Sequence, residues 1–199
     1  MTRWPTILWR ISDDRVYLTF DDGPDRDMTP KLLSLLDNHS IQATFFLIGS
    51  KAERFPKIVR QIYENGHTIG NHTYTHAPLI FKSREKILTE IRSTENIVHR
   101  ITGCRPRLFR PPHGRFGMGL LAALRDTEYK IVLWNASSQD YKVDATPERI
   151  QRRLYQTIKP GKTVLLHDGH KKSPCMLAAL TEILNELSKN NLRFSAIPT

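Results

Sequence analysis

The residues best suited to chemistry in this chain begin at Thr19-Phe20-Asp21-Asp22-Gly23-Pro24. Two adjacent carboxylates sit where the β-branched and aromatic run Val16-Tyr17-Leu18-Thr19-Phe20 breaks into a Gly-Pro turn. Strand interiors avoid Asp, and paired acids repel unless a cation or a proton relieves them. Consecutive side chains at a strand end point in different directions, so one acid can bind a metal while the other moves a proton. Alone, such a cluster reads as a solvated turn. The residues downstream change that reading.

The segment Gly70-Asn71-His72-Thr73-Tyr74-Thr75-His76 follows an apolar stretch containing Ile69. His72 and His76 are four apart, so a helical turn would stack them on one face at a spacing suited to one metal ion. Two imidazoles and one carboxylate make a three-ligand site with an open position, the arrangement of a catalytic metal. An isolated pair of this kind is ordinary on helix surfaces, and it gains meaning from Asp21 and Asp22. Three more groups follow: Arg110-Pro111-Pro112-His113-Gly114 after the strand-like Arg107-Leu108-Phe109, Asp140 after Ile131-Val132-Leu133-Trp134, and His167-Asp168-Gly169 ending the apolar Thr163-Val164-Leu165-Leu166.

The elements that must position these residues alternate between short β-rich runs and helical stripes, which argues for parallel βα units. Thr29-Pro30 opens a helix carrying Leu32, Leu33, Leu35 and Leu36, and Ala43 to Ile48 reads as a buried strand. Ala52, Phe55, Val59 and Ile62 recur at helical spacing, and a longer helix carries Ile87, Leu88, Ile91, Val98 and Ile101. Ile150, Leu154 and Ile158 mark another, and Met176 to Leu187 another again, before a last strand over Arg193 to Ile197. Every candidate functional residue falls just after a strand. In α/β barrels that is the catalytic face.

At 199 residues and 39% hydrophobic, the chain has enough length for one domain with a real core. No apolar run reaches the roughly 18 residues that span a bilayer. Residues 1–14 read as an N-terminal extension, with Arg3 and Arg10 around Trp4-Pro5-Thr6-Ile7-Leu8-Trp9. That piece falls short of a signal-peptide core of about 7–15 apolar residues, so a cytoplasmic location, or export by another route, is expected. Cys104 and Cys175 have neither metal-ligand spacing nor a disulfide framework. The formal net charge of +10 is dispersed along the sequence. It implies attraction to polyanions, with an anionic glycan the more useful partner and no specific nucleic-acid recognition.

Taken in order, TFDDGP, HTYTH, RPPHG, Asp140 and LLHDG resemble the NodB-homology polysaccharide deacetylases, carbohydrate esterase family 4, over residues 15–199. The resemblance implies a single-domain α/β fold, an irregular (β/α)7 TIM-like barrel. It also implies hydrolysis of N-acetyl groups on N-acetylglucosamine-type residues of a glycan, with release of acetate. Asp22, His72 and His76 would hold a divalent metal, zinc in first place and cobalt or nickel otherwise. Asp21 would be the general base and His167 the general acid. Arg110 would hold and charge-tune Asp21, and Asp140 would pair with Arg110. Pro111, Pro112, His113, Tyr141 and Leu165 would contact substrate, with the His113 N–H at the oxyanion and Leu165 at the acetyl methyl.

Two departures touch the groove. The family's Asp-x-x-Asp-Trp is here Ser137-Ser138-Gln139-Asp140-Tyr141, and the Tyr of RPPYG is His113. His170 reads as a solvated loop histidine and His67 as a structural one. Two other functions would share parts of this pattern. A metal-dependent amidohydrolase, deacetylase or deformylase, of a small molecule or lipid-linked sugar would keep the same metal triad. A glycan-binding pseudoenzyme would have lost a ligand or the base, and neither is lost.

Overall fold

A computed structural model describes residues 3–187 and 192–199. The strands are β1 (Ile7–Leu8), β2 (Arg15–Asp21), β3 (Thr44–Leu47), β4 (Thr68–Asn71), β5 (Leu108–Phe109), β6 (Lys130–Val132), β7 (Ala136–Ser137), β8 (Thr163–His167) and β9 (Arg193–Phe194). The helices are α1 (Met28–Asn38), α2 (Gly49–Arg54), α3 (Pro56–Glu64), α4 (Arg84–Thr102), α5 (Met118–Leu124), α6 (Pro147–Thr157) and α7 (Ser173–Leu187).

Strand β2 shows how the sequence divides inside from outside. Val16, Leu18 and Phe20 join the large apolar cluster that includes Leu32 and Leu36 of α1 and Leu180 and Ile183 of α7. The alternate residues Thr19 and Asp21 face the other way and meet Arg110. Strand β8 repeats the pattern, with Val164 and Leu166 among the helix-facing core residues. A second, smaller cluster of Tyr17, Phe46, Leu108, Val132 and Ile197 gathers around this inner face. The continuous apolar character of these strands follows from burial on both sides.

All pairings are parallel, in the order β1-β6-β5-β4-β3-β2-β8-β7, with β9 beside the start of β2. The sheet curls with its helices outside, and among the described residues no pairing joins β1 to β7. The expected irregular barrel with seven helices is therefore present in an open form. The N-terminal extension supplies β1, whose Ile7 and Leu8 pair with Ile131 and Val132. No helix among the described residues is long and apolar enough to cross a membrane.

Helix ends follow local chemistry. Ser83 caps α4 by accepting the Lys86 N–H, and Gly103 ends it at φ 78°, a conformation that suits glycine. Thr146 caps α6 by accepting the Arg149 N–H, with Pro147 in its first turn. The helical stripe from Ala52 to Ile62 proves to be two helices. Phe55, in front of Pro56, cannot hold the α conformation comfortably and takes φ −125°, ψ 56°.

Candidate active site

Parallel pairing brings the strand ends to one rim. Asp21 lies in register with Phe46 of β3 on one side and with His167 of β8 on the other. Leu47 pairs with Asn71, and Asn71 with Phe109, so the segments starting at His72 and Arg110 leave the same edge. Over this rim opens a cavity of about 780 Å³, whose wall includes Asp21, Asp22, His72, His76, Leu165 and His167.

Asp21 is the last residue of β2 and points inward, whereas Asp22 turns out at φ 69°, a left-handed conformation that Asp tolerates. The backbone thus separates the two carboxylates, as the two roles expected of them require. Asp21 is buried, and its Oδ1 accepts from Arg110 Nη1 at 2.7 Å. Burial pushes its carboxyl above the usual range, with the Arg110 guanidinium opposing.

Arg110 is fully buried and fills the interior of the curl. It also donates to Thr19 Oγ1 at 2.8 Å, Val132 O at 3.2 Å and Leu133 O at 3.3 Å. Its guanidinium lies 4.1 Å from the centroid of the Phe46 ring. Its pairing with Asp21 is as expected. The expected pairing with Asp140 is not present.

Asp140 instead serves His167. Its Oδ1 accepts from His167 Nδ1 at 2.8 Å and its Oδ2 from the His167 backbone N–H at 2.8 Å. The reason is register, since β7 lies beside β8 and Asp140 follows β7 directly. This bond leaves Nε2 of His167 for the cavity. Burial alone would lower the His167 pKa, but the Asp140 hydrogen bond and the charges of Asp140, Asp21 and Asp22 raise it to about 9. The ring is therefore protonated at neutral pH.

His72 and His76 are not on a helix. Strand β4 ends at Asn71, and the loop that follows holds Thr73 at φ 67° and His76 at φ 61°. This conformation brings the two imidazoles to 5.0 Å between centroids, so the four-residue spacing works through a kinked loop. His72 Nδ1 donates to Arg110 O at 2.7 Å, which leaves the lone pair of Nε2 facing the cavity. Burial lowers the His72 pKa to about 3 and that of His76 below its usual value, with Asp22 opposing in both.

Both rings are thus neutral, and their Nε2 atoms stand 3.6 and 3.3 Å from Asp22 Oδ1. That oxygen is buried and has no hydrogen-bond partner. For His72 the contact sets two lone pairs against each other. A cation between the three atoms resolves this arrangement, and the three side chains form a group able to hold a metal ion. The residues present fit a divalent metal.

Pro111 and Pro112 are buried and lie outside the cavity wall, whereas His113, Tyr141 and Leu165 line it. His113 takes φ 58° and sets its ring edge-on to His76 at 4.9 Å. Tyr141 packs edge-on to His167 at 5.5 Å. Pro78 and Arg115 also line the cavity without any sequence signal, because they lie in loops. Trp134, the end of a strand-like run, lines it too, and so does His170, which is half-buried there and not the solvated loop histidine expected. His67 is structural, accepting the Ala43 N–H at Nδ1.

An inward carboxylate, a raised imidazole and a carboxylate with two imidazoles around one open volume define a hydrolase site that works with a bound metal. The chain belongs to the polysaccharide deacetylase family, whose model matches residues 10–132, more than half of it. It is 37% identical over 187 residues to a peptidoglycan-N-acetylglucosamine deacetylase of Bacillus cereus, covering 92% of this chain and 67% of that one. It is 30% identical over 193 residues to the peptidoglycan-N-acetylmuramic acid deacetylase PdaA of Bacillus subtilis, covering 96% and 72%. A crystal structure of a peptidoglycan N-acetylglucosamine deacetylase with a bound N-hydroxybenzamide superposes with a TM-score of 0.90 at 34% identity, covering 96% of this chain and 91% of that one. The enzyme is a hydrolase of N-acetyl groups on a polysaccharide.

Proposed function

We propose that the enzyme removes acetyl groups from the N-acetylated sugars of peptidoglycan, using zinc. The observation that carries the reading is Asp22 Oδ1, buried and unpartnered between two neutral imidazoles, with Asp21 and His167 in register beside it. A divalent metal bound there supplies Lewis-acid polarisation of the amide carbonyl and acidifies the attacking water.

The protein's own groups do the rest. Asp21 Oδ1 is held by Arg110, so Oδ2 takes the proton of the water that adds to the carbonyl carbon. His113, on the cavity wall, offers its backbone N–H to the oxygen that gains charge. His167 Nε2 protonates the amine nitrogen as the C–N bond breaks, while Asp140 keeps the ring oriented. Leu165 is buried at the wall and faces the acetyl methyl. The products are acetate and a free amine.

The test is acetate release from peptidoglycan fragments and chitopentaose. Chelated enzyme is compared with zinc- and cobalt-loaded enzyme and with Asp21→Asn. The expected result is metal-dependent release from peptidoglycan that Asp21→Asn abolishes. Metal binding without release from any glycan would move the function to a small-molecule amide.

A further inference from the structure

We propose that Glu90 is a positioning residue for the metal centre: its carboxylate holds the loop between the two imidazoles and so places His76. The inference rests on the reading of Asp22, His72 and His76 as metal ligands, and it adds a residue that lies outside the cavity wall.

The two histidines are held unequally. His72 is buried, its backbone N–H donates to Leu47 O at 2.9 Å, and its Nδ1 donates to Arg110 O at 2.7 Å. His76 is half-buried and makes no hydrogen bond among the described residues. Its ring stands 3.3 Å from Asp22 Oδ1 and packs edge-on to His113. The residues between them, Thr73, Tyr74 and Thr75, belong to no strand or helix, and the backbone is left-handed at Thr73 and again at His76. A β-branched residue in that region is strained, and it stays there only where its surroundings over-determine it.

Those surroundings are two helices. On one side the first N–H groups of α2, from Gly49 and Ser50, donate to Thr73 O at 2.9 Å and Tyr74 O at 3.0 Å. On the other side α4 supplies Glu90. Its Oε2 accepts from the backbone N–H groups of Tyr74 at 2.9 Å and Thr75 at 2.8 Å, and its Oε1 from Thr75 Oγ1 at 2.8 Å. Hydrogen bonds to a carboxylate are the strong kind. Among the described residues no basic side chain pairs with Glu90, so its charge is given to the loop. Thr75, bonded twice, is the residue in front of His76. Without Glu90 the strained loop loses its α4 side, and His76 can leave Asp22 while His72 stays in place.

The experiment measures zinc affinity of metal-stripped protein against a chromophoric chelator, and the visible spectrum of bound cobalt as a report on the ligand set. Glu90→Ala should weaken zinc by about 10–100-fold and change the cobalt spectrum in the direction that His76→Ala does. Glu90→Gln should recover most of the loss, since the amide oxygen accepts both backbone N–H groups and the amide nitrogen donates to Thr75 Oγ1. Thr75→Val removes one bond of the three and should lose less, in the same direction. With His76 gone Glu90 has nothing left to place, so Glu90→Ala added to His76→Ala should cost no further affinity. A Glu90 that only supports the fold would lower the melting temperature of metal-free protein and leave zinc affinity and the cobalt spectrum unchanged. That result, or losses that add in full in the double variant, overturns the inference alone. Zinc binding that survives intact in His72→Ala overturns the metal-ligand reading and this inference with it.

Discussion

Asp21 and His167 are register partners across β2 and β8. The separation of the two groups proposed to take and give the proton is therefore set by the distance between adjacent strands, about 4.8 Å, and not by a mobile loop. Their environments push both pKa values above the usual ranges, Asp21 by burial and His167 by Asp140 and its neighbours. Turnover should rise as Asp21 loses its proton on the acid side and fall as His167 loses its own near pH 9. In Asp140→Asn the carboxylate hydrogen bond and the first of the raising charges are gone, while Asp21 and Asp22 still raise the ring and burial still lowers it. The alkaline limb of the kcat profile should then move down from about pH 9 towards the ordinary imidazole value of about 6.5. An alkaline limb that stays in place would show that Asp140 does not set the acid.

The same pair contributes to stability with a definite sign. His167 has a folded pKa raised above its unfolded one, so its contribution is complete below about pH 6.5 and lost as pH rises through about 9. Melting temperature should fall between pH 7 and pH 9.5 in the wild type, and the fall should be shallower in Asp140→Asn.

Metal removal should destabilise as well as inactivate. Asp22 Oδ1 is buried without a partner, so metal-free protein keeps an uncompensated acceptor at its rim. Metal at about a thousandfold over its dissociation constant would add about 4 kcal/mol, roughly 10 °C in a domain of this size. A thermal scan with a chelator and with added zinc measures this. His72→Ala should abolish the shift. An equal zinc shift in that variant would place the metal elsewhere.

The sequence made visible whatever followed from short-range period. The alternation that puts Tyr17, Thr19 and Asp21 on one face and Val16, Leu18 and Phe20 on the other is a property of any strand. The four-residue spacing of His72 and His76 was readable as a metal pair, but its helical explanation was wrong, because Thr73 and His76 adopt left-handed backbone that spacing cannot reveal. The family resemblance pairs Asp140 with Arg110, yet the order of β7 and β8 in the sheet gives it to His167. That choice depends on strand neighbours, a long-range fact. Arg115 and Trp134 entered the cavity for the same reason: the curl brings the segments after β5 and β6 together.

Arg110 should prove costly to replace. Its guanidinium is wholly buried and reaches Asp21, Thr19, Val132 and Leu133 at once. Arg110→Met leaves the Asp21 carboxylate buried without its cation, a loss of about 3–5 kcal/mol. Arg110→Lys should recover little, since one ammonium cannot span the fork. Adding Asp21→Asn to Arg110→Met should return part of the stability, because the two effects couple. Strict additivity in denaturant unfolding would mean that the ion pair does not contribute through its charge.

Gly169 tests how the loops proposed to carry a metal ligand and the acid are held together. A Cβ there would lie 1.9 Å from Asp22 O and 2.9 Å from Gly23 N, so the loops after β2 and β8 touch backbone to backbone. Lys51 bridges the same contact, donating from Nζ to Asp22 O at 2.8 Å and to Gly169 O at 3.0 Å. The requirement at Gly169 is for space, since no left-handed φ is involved. Gly169→Ala must push Asp22 away from His167, and a displacement near 1 Å at a reacting centre costs about a hundredfold in rate. Lys51→Met removes the bridge without the clash, so its loss of kcat should be smaller and in the same direction. Gly117→Ala, whose Cβ would meet open space, provides the control. Normal turnover in Gly169→Ala would mean that the two loops move apart without consequence for the chemistry.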